Sequence, residues 1–356
     1  MAANPMRIGV LGAGWFASRR HCPDVVDHDE AKLTALCRRS ADELQRMGQA
    51  FGVDALFADY REMIVEADLD GVIICSPHNL HYEHAFACLQ ADLHVLLEKP
   101  ISVESGQGRK LVAEAAERDR VLLVAQNPPY WNHCRRLREA IDSDELGELE
   151  SATITWVGNA LGVLGREELS DDIPGVVKPT LFRQSPTANG GGFLVDGGSH
   201  LITELIWCTR RRITEVAAIM DNVNHDVRAA LTLRLDNGAT ATLSNTADSV
   251  RRDKRQRSIY CGSMGTAWVR GFPFHLDLDS GGQVHCWSDE ELPTPPSPVD
   301  DFIACISEQR EPQITGAEAV HVVEVLEAAY ASARERRTVT VGQTDTTSSS
   351  SNAISS

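Results

Sequence analysis

The feature that most restricts the fold is a glycine-punctuated turn at the end of the first apolar run, where residues 8–11 lead into Gly12-Ala13-Gly14-Trp15-Phe16-Ala17. The first glycine permits a tight turn, the second lets the main chain approach a bound group, and the small Ala17 lets a following helix pack against the strand. The next hundred residues suit such a turn. Short Val/Ile/Leu runs at 33–37, 71–75, 94–97 and 121–125 alternate with helix-like stretches at 41–51, 81–89 and 104–118. Near-continuous apolar strands separated by helices predict a parallel sheet covered on both faces, and so an α/β domain over residues 1–126.

Beyond residue 147 the pattern changes to alternating runs at 150–157, 213–219, 227–235, 239–244 and 257–260. Asn237-Gly238 between two of them is a hairpin signal, because this pair supplies the positive φ angles of a tight turn. Helical periodicity returns at 300–307 and 317–334, and 338–341 reads as a last strand. Residues 127–341 are therefore expected to form an α+β domain with a large, mainly antiparallel open sheet, its late helix free to pack back on the first domain. The Ser/Thr-rich stretch 342–356 cannot bury enough to offset its ordering entropy and reads as a disordered tail.

Composition narrows the function. The chain has 356 residues, 42% hydrophobic and 24% charged, with a net charge of -17. That balance suits a soluble globular protein and argues against a surface that clamps nucleic acid or anionic lipid. No apolar run is long enough for a membrane span, and the first apolar segment lacks a signal-peptide cleavage pattern, so a cytoplasmic location is expected. Nine cysteines show no CxxC or CxH spacing, so reduced thiols and no metal site are expected.

The Gly turn predicts a dinucleotide site, with pyrophosphate at the start of the next helix and contacts from Gly12, Gly14, Trp15, Phe16 and Ala17. At the end of the second strand, where a carboxylate would meet the ribose hydroxyls of NAD, the chain reads Arg38-Arg39-Ser40. Two guanidinium groups and a hydroxyl suit a 2′-phosphate, which favours NADP; solvated arginines with NAD bound are the alternative. The third strand runs into Ser76-Pro77-His78-Asn79-Leu80-His81, the fourth into Glu98-Lys99-Pro100, and the fifth ends at Gln126. Strand ends on this edge are where such sheets bind ligands, so Ser76, Pro77, Asn79, His81, Glu98, Lys99, Pro100 and Gln126 are candidate cofactor contacts. Lys99 is one of five lysines and alone directly follows a buried strand, a costly place for a purely structural ammonium. In the second half, Asn189-Gly190-Gly191-Gly192 opens a segment ending Asp196-Gly197-Gly198-Ser199-His200, which brings an acid and an imidazole close together if a helix begins there.

The order GAGWFA, SPHNLH, EKP and GGGFLVDGGSHL resembles the family of glucose-fructose oxidoreductase, inositol dehydrogenase and MocA-type proteins, from Arg7 to Val341. The resemblance implies a Rossmann domain, a second domain whose open sheet often forms a subunit interface, and a homodimer or homotetramer. It assigns catalytic roles to Lys99, Asp196 and His200, and a cis Lys99-Pro100 bond. Two further departures from the family pattern stand out: the segment Asn127-Pro128-Pro129-Tyr130-Trp131-Asn132 lacks its usual Arg, and Thr203 replaces an acid.

The expected reaction is hydride transfer between a nicotinamide and a hydroxyl-bearing carbon of a sugar or cyclitol. His200 with an ordinary pKa would exchange the proton, Lys99 would steady the alkoxide, and Asp196 would orient the imidazole or grip a neighbouring hydroxyl. Which of Lys99 and His200 carries the proton is open. Lys99, Tyr130, Trp131, Asn132, Arg183, Asp196 and His200 are candidate substrate contacts. A non-catalytic dinucleotide-binding regulator, and a hydrolase or lyase using the nicotinamide transiently, are the competing readings. The basic cluster of Arg251, Arg252, Lys254, Arg255 and Arg257 reads as a solvated turn between two strands, with attraction of a phosphorylated substrate or of a partner subunit's acidic face as the alternative, and receives no site.

Overall fold

The computed structural model describes residues 4–168 and 174–342; apart from Gly342, the tail lies outside the described residues. The first sheet is built from β1 (Met6–Leu11), β2 (Ala31–Cys37), β3 (Ala55–Phe57), β4 (Gly71–Ile74), β5 (His94–Glu98) and β6 (Leu122–Ala125). All neighbours are parallel, in the order β3-β2-β1-β4-β5-β6. This is the doubly wound order whose direction reverses at β1/β4, leaving a crevice at the carboxyl ends of those strands. The turn after β1 therefore starts on the binding edge. Strand β3 escaped the sequence reading because it is only three half-buried residues on the sheet's edge.

The second sheet contains β7 (Leu149–Val157), β8 (Ile213–Met220), β9 (Arg228–Leu235), β10 (Thr240–Thr246), β11 (Arg255–Gly262), β12 (Gly265–Gly271), β13 (His275–Ser280), β14 (Gln283–Ser288) and β15 (Val339–Thr340). Their order is β14-β13-β12-β11-β7-β10-β9-β8-β15, antiparallel throughout except for the central β7/β10 pair. Alternation sets the faces: Ala229, Leu231, Leu233 and Leu235 of β9 are buried, whereas Arg228, Ala230, Thr232 and Arg234 point outward. The β9–β10 turn lies at Asn237-Gly238, but only Gly238 takes a positive φ, of 89°. Its amide bonds back to the Leu235 carbonyl, so the connection is a three-residue loop with glycine at the left-handed position.

The inner face of this sheet packs on helices Asn132–Asp142 and Ser199–Thr209. The late helix Gly316–Glu335 joins the two domains. Its Ala319, Val320 and Val323 enter the core of the first sheet, and its Val322, Val325, Leu326 and Ala329 enter the core of the second. Apolar residues therefore surround this helix, as expected of one that packs back on the first domain. Helix Pro298–Ser307 adds Phe302 and Ile303 beneath β1 and β2. No helix of the described residues is long and apolar enough to cross a membrane.

Candidate active site

The carboxyl ends of β1, β2, β4 and β5 open into a cleft of about 1030 Å³, whose opposite wall is the second domain. Gly12, Gly14, Trp15, Phe16, Arg38, Arg39 and Ser40 line it on the β1–β2 side. Ser76, Pro77, His81, Glu98 and Lys99 line the β4–β5 side, and Trp131, Arg183, Asp196 and His200 come from the second domain.

The Gly turn is sterically committed. Gly12 has a φ of +78°, and a Cβ there would lie 2.6 Å from the Ser76 amide nitrogen. At Gly14 a Cβ would fall 2.9 Å from Arg38 Nη1. Gly14 starts the short helix Trp15–Arg19 without any side-chain cap, so the first-turn N–H groups remain available. Unclaimed N–H groups in a cradle that a side chain would fill suit a pyrophosphate, and the residues present fit a dinucleotide. Arg38 is less free than its position suggests, because it is ion-paired with Glu43 in the following helix. An acid is thus present, one helical turn beyond the place where the sequence lacks it. Arg39 and Ser40 are exposed, and Arg39 has no ion pair among the described residues. Trp15 turns its indole N–H to the Pro174 carbonyl at 2.8 Å, and the Val176 amide donates to Ser18 Oγ at 3.0 Å.

Lys99 directly follows β5 and is joined to Pro100 by a cis bond. Its Nζ donates to the Asp196 carbonyl oxygen at 2.5 Å and lies 3.3 Å from Asp196 Oδ1. Arg183 Nε donates to the same Oδ1 at 2.9 Å. Burial alone would raise the Asp196 pKa, but Arg183 and Lys99 outweigh it and hold the carboxyl well below its usual range. Asp196 sits in a π-helical turn, Leu194–Gly198, that feeds helix Ser199–Thr209. The glycines there are packing requirements, since a Cβ on Gly197 would overlap the Phe193 ring.

This geometry corrects the expected Asp196–His200 partnership. Both cations claim the carboxylate, while His200 Nδ1 is buried with no hydrogen-bond partner. The remaining nitrogen, Nε2, is the one left for the cleft. Burial, with Lys99 nearby, pushes His200 down to about 3, so its imidazole is neutral across the physiological range rather than titrating near neutrality. His81 braces the same floor: its ring nitrogens lie 2.9 Å from the Ser76 carbonyl and 2.6 Å from that of Pro100. Glu98 is held by His21 Nε2 at 2.7 Å.

Several expected contacts lie elsewhere. Tyr130 donates its hydroxyl to Asp301 Oδ2 at 2.9 Å, and Asn132 Nδ2 donates to the Asp289 carbonyl at 2.7 Å, so both are turned away from the cleft. The short 3-10 turn Pro128–Tyr130 sets that direction. Ala17 is fully buried against the strand, Asn79 is exposed on the turn His78–Leu80, and Pro100 and Gln126 are buried outside the cleft lining. Trp131 does line the cleft, with its ring centroid 6.2 Å from that of His200. Sequence reasoning missed His78, Phe182, Lys254, Gln256 and Phe272 in the lining. His78 lay inside a motif already singled out, and Lys254 inside the basic cluster. No group of three or more His, Cys, Asp or Glu able to hold a metal occurs among the described residues.

Known proteins carry the same architecture. Residues 6–126 match a model described as an oxidoreductase family with an NAD-binding Rossmann fold, and residues 134–267 match the GFO/IDH/MocA C-terminal domain. The chain is 24% identical to D-glucoside 3-dehydrogenase of Escherichia coli K12 over 82% of its own length and 84% of the relative's. It is 31% identical to myo-inositol 2-dehydrogenase of Thermotoga maritima over 42% of its own length and 45% of the relative's. Among solved structures, an oxidoreductase domain protein from Kribbella flavida superposes with a TM-score of 0.84 at 19% identity, covering 96% of this chain and 100% of that one. With both halves matched, the chain belongs to the GFO/IDH/MocA family of oxidoreductases.

Proposed function

We propose that this protein is a dehydrogenase or reductase that moves a hydride between C4 of a nicotinamide dinucleotide, preferentially NADP(H), and a hydroxyl- or carbonyl-bearing carbon of a sugar, sugar derivative or cyclitol. The observation that carries this reading is the meeting of Lys99, Asp196 and His200, drawn from two domains, in the cleft that begins at the Gly12–Gly14 cradle. Relatives named as glucoside, inositol and apiose dehydrogenases support the substrate class. The dinucleotide, when bound, supplies the hydride acceptor or donor.

The side chains perform the rest. In the oxidising direction Lys99 Nζ lies against the substrate oxygen and stabilises negative charge as it develops. His200, already neutral, accepts the hydroxyl proton at Nε2 and returns it in reduction. Its weak basicity suffices because that proton becomes strongly acidic as the hydride departs from carbon. Lys99 and Arg183 both use Asp196 Oδ1, which leaves Oδ2 for a neighbouring substrate hydroxyl. The Trp131 ring offers an apolar face to the C–H surface of a sugar.

Arg39 and Ser40 support the preference for a 2′-phosphate, with Arg38 positioned by Glu43. The outward face of the nine-stranded sheet, which presents Thr153, Thr242 and Ile219, is our proposed surface for a homodimer or homotetramer. A spectrophotometric panel of polyols, sugars and keto sugars with both dinucleotides tests the activity. Lys99→Met should lower kcat at least a hundredfold while dinucleotide affinity stays within threefold. Unchanged turnover would remove Lys99 from the chemistry, and a wide preference for NAD(H) would overturn the role of Arg39 and Ser40.

A further inference from the structure

We propose that the substrate is anionic: a sugar or cyclitol bearing carboxylate or phosphate oxygens, which Lys254 receives at the rim of the cleft. This inference rests on the oxidoreductase reading above and narrows its substrate class.

Lys254 is exposed and immediately precedes β11, whose Gln256, Ser258 and Tyr260 are buried on the inward side; the same alternation carried back one step puts Lys254 on that side. These residues face helix Ser199–Thr209, which also carries His200. Gln256 Nε2 donates to Glu204 Oε2 at 2.6 Å and Tyr260 donates to Glu204 Oε1 at 2.8 Å, fixing the register of β11 against that helix one turn from His200. Two residues further along, a step of about 7 Å, Lys254 reaches the cleft, where it joins Gln256 and Phe272 in the lining.

The neighbouring acids do not neutralise Lys254. Asp253 lies 3.0 Å from Arg251 and 3.8 Å from Arg255, and Asp248 lies 2.8 Å from Arg228. Among the described residues Lys254 has no carboxylate partner, and its Nζ stands 5.8 Å from the Phe272 ring centroid. Deeper in the cleft Asp196 already serves two cations, Lys99 and Arg183, while Glu98 is occupied by His21. At this end of the cleft the three cations Lys99, Arg183 and Lys254 face two carboxylates, Asp196 and Glu98, in a chain whose net charge is -17. An electropositive cleft in an acidic protein concentrates anions where the surrounding surface repels them. A lysine is a compact charge on a flexible stem, without the planar fork that singles out one oxyanion geometry, so carboxylate and phosphate share this chemistry.

The test measures affinity on the dinucleotide-loaded protein, by calorimetry, for D-glucose, D-glucuronate and D-glucose 6-phosphate, with nicotinamide turnover followed in parallel. At least one acid should bind ten or more times tighter than glucose, and which acid does so distinguishes carboxylate from phosphate. Lys254→Met should reduce that acid-to-neutral ratio at least tenfold, and Lys254→Arg should restore most of it. Equal affinity for glucose and both acids, or an acid preference that survives Lys254→Met, overturns the proposal. Lys254-dependent acid binding without turnover of any sugar would keep this inference and sink the oxidoreductase reading. Turnover confined to neutral sugars would do the reverse.

Discussion

Replacing Asp196 by Asn removes a charge and almost no volume at the point where Lys99 of the first domain meets Arg183 of the second. The carboxylate is 9% exposed and takes Arg183 at 2.9 Å and Lys99 at 3.3 Å on one oxygen. Deleting one partner of a buried ionic group leaves uncompensated charge and costs about 3 to 5 kcal/mol. The lower figure applies here, because Lys99 retains the Asp196 main-chain oxygen and Arg183 retains the Phe182 ring. A loss of about 3 kcal/mol corresponds to roughly 7 °C in Tm for a unit the size of the second domain. The sign with pH follows from the depressed carboxyl. A group whose folded pKa lies below its unfolded value of about 4 stabilises the fold above that value, and the contribution disappears as pH falls through the folded pKa. Scanning calorimetry of the wild type and Asp196→Asn should therefore show the full gap at pH 7, a gap that narrows steadily below about pH 4. A gap that stays constant from pH 7 to pH 3 would show that packing, not charge, is what the substitution disturbs.

Two further outcomes are expected. Gly12→Ala should lower dinucleotide affinity at least tenfold and depress Tm, since the new Cβ meets main-chain atoms of Cys75 and Ser76 at a positive φ; near-normal fluorescence titration with the reduced dinucleotide would contradict this. Tyr130→Phe should cost about 1 kcal/mol by freeing one hydrogen-bond site on Asp301, with KM unchanged, whereas a raised KM would place Tyr130 at the substrate.

The first domain was largely legible because its information is local. Buried parallel strands read as continuous apolar runs, and a Gly turn after the first of them has few other uses. The second domain was harder. Strand β13 does alternate, as His-Leu-Asp-Leu-Asp-Ser, but it spans only six residues, and β14 is an edge strand with no buried residue, so neither stands out as an apolar run. The cleft gathers Lys99, Arg183, Asp196 and His200, but their pairing depends on a π-helical turn whose phase is not written in residue spacing. Tyr130 and Asn132 illustrate the same limit: a motif places residues near a site, and the local backbone decides which way they point. Lys254 was passed over because a cluster of charges looks alike whether its acids are taken or free.

The central strand pair of the second sheet has a kinetic consequence. β7 lies parallel to β10, with Ser151 opposite Thr240, so their pairing closes the whole intervening stretch into one loop, Asp196 and His200 included. Closing so long a loop costs entropy before any of its contacts is gained, and such closures slow a folding reaction. The strand pairs of the nucleotide half close shorter loops, but its core is complete only when Phe302, Ile303, Ala319, Val320 and Val323 arrive from the late helices, so both halves and the cleft between them depend on the last part of the chain to be made.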